Sequence, residues 1–158
     1  MVLRIGQKVP DFSLFDSERK ERKLSEFTQK GSLTIAFFPF AFSRTCDREM
    51  CVFRDSLVGP GALEGSVIGV SVDSVFTLKI FSETYNLGFP VLSDFNKKVA
   101  KAFDVLQDSW VDLGYKGVAK RAVFVVDRKG VLRYRWVAEE PGEEPPYERV
   151  AAAVSKAN

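Results

Sequence analysis

The chain has 158 residues, 46% apolar and 28% charged, with a net charge of +2. That is enough for one globular domain with a sizeable core, and it excludes a disordered chain. No apolar run is long enough for a helical membrane span, and the small charge carries no electrostatic footprint for nucleic acid. The absence of histidine removes His-activated nucleophiles, His general bases and most zinc sites. One domain over residues 1–158 is expected, with no cofactor, no metal, no membrane and no nucleic-acid partner.

Taken in chain order, "MVLRIGQKVPDF" has neither a long apolar h-region nor a small-residue cleavage site, and predicts a cytoplasmic protein. "SLTIAFFPF" is continuously apolar from Leu33 to Phe38 and ends at Pro39, the pattern of a buried strand. "TCDREMCVFRDSLV" has apolar residues at steps of three and four, a helix. The glycines of "GPGALEG" follow that helix rather than a strand, so they form a loop and not a dinucleotide fingerprint. "SVIGVSVD" reads as a second buried strand, "SVFTLKIFSETYNL" and "KKVAKAFDVL" as helices, and "RAVFVVD" as a third strand. The last turns through "DRKG" into "VLRYRWV", an alternating strand whose Arg133 and Arg135 form its wet face. Pro145 and Pro146 break the acidic loop "AEEPGEEPP" and introduce a final helix, "YERVAAAVSKA". A parallel crossover between the first two strands and a late antiparallel hairpin predict an α/β domain, a central mixed β-sheet flanked by helices.

Both cysteines, Cys46 and Cys51, lie in the helix that follows the first strand. Cys46, Met50, Phe53 and Leu57 make one stripe facing the core, which puts Cys46 in the first turn on the inner side. Free amides and the positive dipole end favour a thiolate there, the placement of nucleophilic cysteines. Arg44 and Arg48 are close in sequence and could add positive charge. A buried cysteine acting as a small hydrophobe is the competing reading; Pro39, Ser43, Thr45 and the second thiol weigh against it. Residues five apart in an ideal helix are roughly 8 to 9 Å apart at Cα, whereas a disulfide needs about 4.4 to 6.8 Å. A bridge between Cys46 and Cys51 therefore requires the helix to unwind; geometry alone leaves open whether they pair.

"PFAFSRTCDRE" resembles the active-site signature of the peroxiredoxins, P-x-x-x-[TS]-x-x-C with Glu three residues on, and Pro39, Ser43, Cys46 and Glu49 fill those positions. With Cys51 at C-x-x-x-x-C spacing, and with "GVSVDS", "FPVLSD" and "RAVFVVDRKG" in order, the likeness to the Q-type subgroup, the bacterioferritin comigratory proteins, extends over nearly the whole chain. The resemblance implies a thioredoxin-like fold with an N-terminal extension around "KVPDFSLFDSERKERKL". It implies a thiol-dependent peroxidase in which the Cys46 thiolate attacks a hydroperoxide to give sulfenic acid. Ser43, where the family more often has Thr, would bind the peroxide, and Arg121 would stabilise the thiolate and polarise the O–O bond. Pro39 would exclude water, Glu49 would orient arginine, and Cys51 would resolve the sulfenic acid as an intrachain disulfide. With no third cysteine, the disulfide implies an external thioredoxin-like or glutaredoxin-like reductant. Phe40, Phe42 and Trp110 are candidates for an apolar rim, or for core. The subgroup is compatible with a monomer or a homodimer.

Two other enzyme classes fit less well. A phosphatase loop needs an arginine after its second cysteine, where this chain has Val52, and Asp47 and Glu49 would repel phosphate. Thioredoxin-type exchange needs C-x-x-C, which is absent. A redox sensor using the same pair is the non-enzymatic alternative.

Overall fold

The apolar run at Leu33 forms β3 (Leu33–Phe37), buried at every residue. Leu33, Ile35 and Phe37 point into one apolar cluster, and Ala36 points into a second on the opposite face. A strand covered on both faces loses the usual alternation, which is why its sequence is continuously apolar. β3 pairs in parallel with β4 (Ser66–Ser71), and β4 with β5 (Val91–Ser93). On its other side β3 pairs antiparallel with β8 (Ala122–Val126), which pairs antiparallel with β9 (Leu132–Val137). β1 (Ser13–Asp16) and β2 (Glu21–Lys23) form a hairpin added antiparallel to β5, completing a seven-stranded sheet. This computed structural model describes residues 3–110 and 113–158. Met1 and Val2 of the segment read for export lie outside those residues, and all six candidate site residues lie within them.

The helices are α1 (Leu24–Thr28), α2 (Arg44–Ser56), α3 (Val75–Tyr85), α4 (Lys98–Ala102) and α5 (Tyr147–Ala157). α2 carries both cysteines, and Cys46, Met50 and Phe53 are buried while Leu57 packs at the edge of the same cluster. Close approach of α2 to the sheet is permitted at Gly69 of β4. A Cβ there would stand 3.2 Å from both Met50 Sδ and the Phe38 ring, and 3.1 Å from Val91.

The structure departs from the sequence expectation in three places. The helix predicted over "KKVAKAFDVL" is only α4, because the chain turns at Asp104, φ 56°, and Val105 drops into the core. The next two residues pair as β6 (Leu106–Gln107) with β7 (Val118–Ala119). The N-terminal extension holds β1 and the edge strand β2, whose few residues carry no burial pattern to read. Arg135 is half-buried over the Phe124 ring rather than fully wet, while Arg133 is exposed and pairs with Asp127 at 2.8 Å.

Candidate active site

Where β3 ends, the chain crosses a short loop and enters α2. Two contacts anchor that loop: Phe38 N–H donates to the Val70 carbonyl at 3.0 Å, and Ala41 N–H to Asp73 Oδ2 at 2.8 Å. Phe42 takes a left-handed φ of 67°, which turns the chain into Ser43. Ser43 is the N-cap residue, extended, and its carbonyl accepts the first helical bond from Asp47 N–H at 3.0 Å. A capping serine ordinarily uses its hydroxyl on a helix amide. Here Ser43 Oγ is buried and makes no hydrogen bond among the described residues.

Arg121 arrives from the other side of β3. The β3–β8 register pairs Phe37 with Ala122, so the residue just before β8 is set opposite the point where β3 gives way to the active loop. Its Nη1 donates to Cys46 Sγ at 3.2 Å and to Glu49 Oε1 at 3.0 Å, and its Nη2 to the Pro141 carbonyl at 3.1 Å. Cys46 and Glu49 are 0% exposed and Arg121 3%. Glu49 Oε2 and Arg121 Nε, like Ser43 Oγ, are buried without a partner among the described residues. Native proteins satisfy nearly all such groups, and exceptions concentrate where chemistry needs them.

Charge in this cluster is set by a contest between burial and Arg121. Burial pushes the Cys46 thiol above its ordinary pKa, opposed by Arg121, by the nearby Ser43 hydroxyl and by the Phe40 backbone. Ser43 is thus close enough to act electrostatically on the sulfur although it makes no well-aligned hydrogen bond to it. Glu49 is pushed up to about 8, burial again outweighing Arg121. For Arg121 the balance is reversed: burial lowers its pKa, but Cys46 and Glu49 beside it raise it by more. The guanidinium therefore stays charged, and Glu49, stripped of water, keeps its proton into the neutral range. Cys51 is half-buried further along α2, its pKa raised by burial against the pull of Arg54. Both cysteines are free thiols on a continuous helix.

Pro39 is buried and lines, with Arg121, Gln107, Trp110 and Pro141, a pocket of about 410 Å³. Next to it Phe40, Phe42, Ser43, Trp110 and Tyr115 border an apolar groove of about 730 Å³. Phe40 packs edge-on against Trp110 at 5.4 Å and Tyr115 at 5.6 Å, and Phe42 is 47% exposed. These rings form a rim and not core. A further pocket of about 660 Å³, lined by Phe12, Leu14 and Phe15, contains none of the site residues.

The profile of the AhpC/TSA family matches residues 5–135. The chain belongs to that family, the peroxiredoxins. It is 36% identical to the peroxiredoxin Bcp of Bacillus subtilis, covering 86% of each chain. Among solved structures it is similar to a peroxiredoxin-like protein from Aquifex aeolicus, with TM-score 0.88 and 26% identity over 100% of this chain and 90% of the other. It is also similar to the peroxidoxin BcpB of Mycobacterium tuberculosis, with TM-score 0.83 and 27% identity over 99% of each chain. The fold is thioredoxin-like, the subgroup is Q-type, and the activity is that of a thiol-dependent peroxidase with a peroxide substrate and a thiol reductant.

Pro39, Ser43, Cys46, Glu49 and Arg121 thus converge, with Cys51 one and a half turns further along α2. Arg44 and Arg48 do not join them: Arg44 is exposed, and Arg48 reaches away to Glu144 at 3.0 Å. Sequence reasoning missed two contacts that build this candidate site and one that lies outside it, between α2 and α3. The acidic loop delivers the Pro141 carbonyl to Arg121, Asp73 holds the loop at Ala41, and Asp47 accepts a 2.6 Å hydrogen bond from Tyr85. A backbone carbonyl leaves no sequence signal. Asp73 lies in the quoted "GVSVDS", but only the fold brings its carboxylate to Ala41.

Proposed function

We propose that Cys46 is the peroxidatic nucleophile, with Arg121 and Ser43 holding the peroxide and Cys51 resolving the product. The observation that carries this reading is the pairing of Arg121 Nη1 with Cys46 Sγ at 3.2 Å, beside the unpartnered Ser43 hydroxyl. Burial holds the Cys46 pKa above its ordinary value even with Arg121 beside it, so the thiolate that reacts is the form favoured by the guanidinium and by the amides at the start of α2. The thiolate lone pair attacks the terminal oxygen of the hydroperoxide and the O–O bond breaks. The transferred oxygen keeps its proton as Cys46–SOH, and the departing alkoxide or hydroxide takes a proton from solvent. Arg121 and Ser43 supply positive charge and a donor to the oxygens on which charge develops. Pro39 shields the pocket, and Glu49 fixes the guanidinium through its 3.0 Å contact.

Resolution follows when the start of α2 unwinds and the Cys51 sulfur displaces water from the sulfenic acid. A thioredoxin-like or glutaredoxin-like dithiol protein then reduces the disulfide by exchange, making this an atypical two-cysteine enzyme. All the residues required lie on one chain, which suits a single domain over residues 1–158 acting as monomer or homodimer. A reducing compartment such as the cytoplasm supplies the dithiol. The aromatic rim offers apolar contact to the reductant or to an alkyl hydroperoxide.

The test is intact mass and free-thiol count within seconds of adding one equivalent of hydrogen peroxide to the reduced protein. Loss of both thiols with two hydrogens removed supports the full cycle. Oxygen addition on Cys46 alone removes the resolving role of Cys51. Multiple turnovers by Cys46→Ser would end the assignment of the nucleophile.

A further inference from the structure

If Cys51 resolves Cys46, as proposed above, α2 must open after peroxide has reacted, and what holds α2 closed sets the fate of the sulfenic acid. Tyr85, the last residue of α3, is placed to do this. Its hydroxyl donates to Asp47 Oδ2 at 2.6 Å, and its main-chain carbonyl accepts from Arg54 Nη1 at 2.7 Å. Asp47 is in the first turn of α2 and Arg54 in the last, so one residue of α3 holds both ends of the segment containing Cys51. The Tyr85 ring also packs against Phe42 at 6.4 Å and edge-on against Phe81 at 5.5 Å, extending the hold to the loop that carries Ser43.

The Asp47 contact matters because the carboxylate has no other side-chain hydrogen bond among the described residues. Asp47 Oδ1 is buried and unpartnered among the described residues, so without the Tyr85 hydroxyl the closed helix would hold a carboxylate with little to satisfy it. In water, after opening, it would be solvated. The tie on the other side of α2 is weaker. Arg48 and Glu144 pair at 3.0 Å, but Arg48 is 54% exposed, and such pairs contribute little.

We propose that Tyr85 is a positioning residue for the resolving step: it clasps both ends of α2 and sets how long Cys46 sulfenic acid stays away from Cys51. While the clasp holds, the sulfenic acid faces the peroxide pocket, where a second hydroperoxide converts it to sulfinic acid and leaves as alcohol or water. When the clasp releases, the S–O bond of Cys46–SOH breaks and the S–S bond to Cys51 forms. The hydroxyl leaves with the Cys51 proton as water, so no external oxidant is consumed. The clasp thus partitions the enzyme between turnover and over-oxidation.

The experiment compares the reduced full chain with Y85F, D47A and the double variant. Y85F keeps the ring and the Arg54 contact and removes only the hydroxyl. After one equivalent of hydrogen peroxide, quenched samples are resolved by mass into sulfenic acid and disulfide; a second series in excess peroxide measures sulfinic acid. Sulfenic acid formation should be unchanged in Y85F. Disulfide formation should be roughly fivefold faster, the worth of one hydrogen bond, and sulfinic acid should fall in proportion. The double variant should be no faster than either single variant, since all three break one contact. Amide hydrogen exchange should quicken in α2 of Y85F and stay as it was in β3 and β4, which a general loss of stability would not produce. Unchanged disulfide formation with unchanged α2 exchange overturns the clasp, as do additive effects of the two substitutions. Faster α2 exchange with no disulfide in any variant supports the clasp and instead removes Cys51 as the resolving thiol.

Discussion

Glu49→Gln isolates the cost of placing a carboxyl in the buried cluster around Arg121. Glu49 is 0% exposed and its pKa is pushed up to about 8 from an ordinary 4.5, burial outweighing Arg121. Between those two values the folded protein keeps a proton that the unfolded chain has released. Stability must therefore fall as pH rises through this window. At roughly 1.4 kcal/mol per pH unit, the full interval is worth about 3 to 5 kcal/mol, present below pH 4.5 and lost above pH 8. Glutamine keeps the shape and cannot ionise, so the variant lacks this slope. Urea unfolding of the reduced wild type and variant, from pH 5 to pH 9, reads the difference directly, because Cys46 titrates in both. The wild type should lose stability relative to the variant as pH rises. Parallel curves would refute the reasoning. They would mean that Glu49 is charged across this range in the folded and unfolded chains alike, as in a conventional ion pair with Arg121.

Arg121→Met removes the cation that faces Cys46 Sγ at 3.2 Å. It should lower kcat/KM for hydrogen peroxide by about two to three orders of magnitude, the effect of losing a donor at a site of developing charge; a loss below tenfold in stopped-flow assays would disprove the role. Asp73→Ala frees Ala41 N–H and the Ser71 hydroxyl, both held by Asp73 Oδ2. The loss of loop placement should slow the first peroxide reaction about tenfold and leave later disulfide reduction at its original rate. Gly65→Ala drives a Cβ into the Ser32 carbonyl and hydroxyl at φ +98°. It should destabilise the fold by about 2 to 4 kcal/mol, seen in thermal melts, and leave the early peroxide kinetics of the folded protein intact; an unchanged melting temperature would contradict it.

The parts of this protein legible from sequence are those governed by neighbours in the chain. The central strands could be read because burial on both faces of the sheet demands continuous apolar runs, as at Leu33–Phe37 and Ala122–Val126. α2 and its buried stripe could be read because helical spacing places Cys46, Met50 and Phe53 on one side. Helix geometry alone set the requirement that α2 unwind before Cys46 and Cys51 can join. The short strand β1 and the edge strand β2 could not be read, because a hairpin at the margin of the sheet needs only a few residues and carries little pattern. For "KKVAKAFDVL" apolar spacing favoured a helix throughout, and the core's demand for Val105 overrode it.

By itself the sequence determined the central strands and the longer helices, the place of the Cys46 thiol at a helix start and, through its motif, the likeness to peroxiredoxins. Tertiary structure alone decided what surrounds the thiol. Arg121 lies 75 residues from Cys46 and reaches it because the β3–β8 register sets Ala122 against Phe37. The Pro141 carbonyl reaches Arg121 from a loop read only as acidic, and Tyr85 meets Asp47 across 38 positions. Complete burial, which raises both the Cys46 thiol and Glu49, is likewise a property of the closed assembly. Spacing along a chain fixes which face a side chain occupies. The charges and donors that it meets there come from other strands and helices, and only the packed sheet brings them within reach.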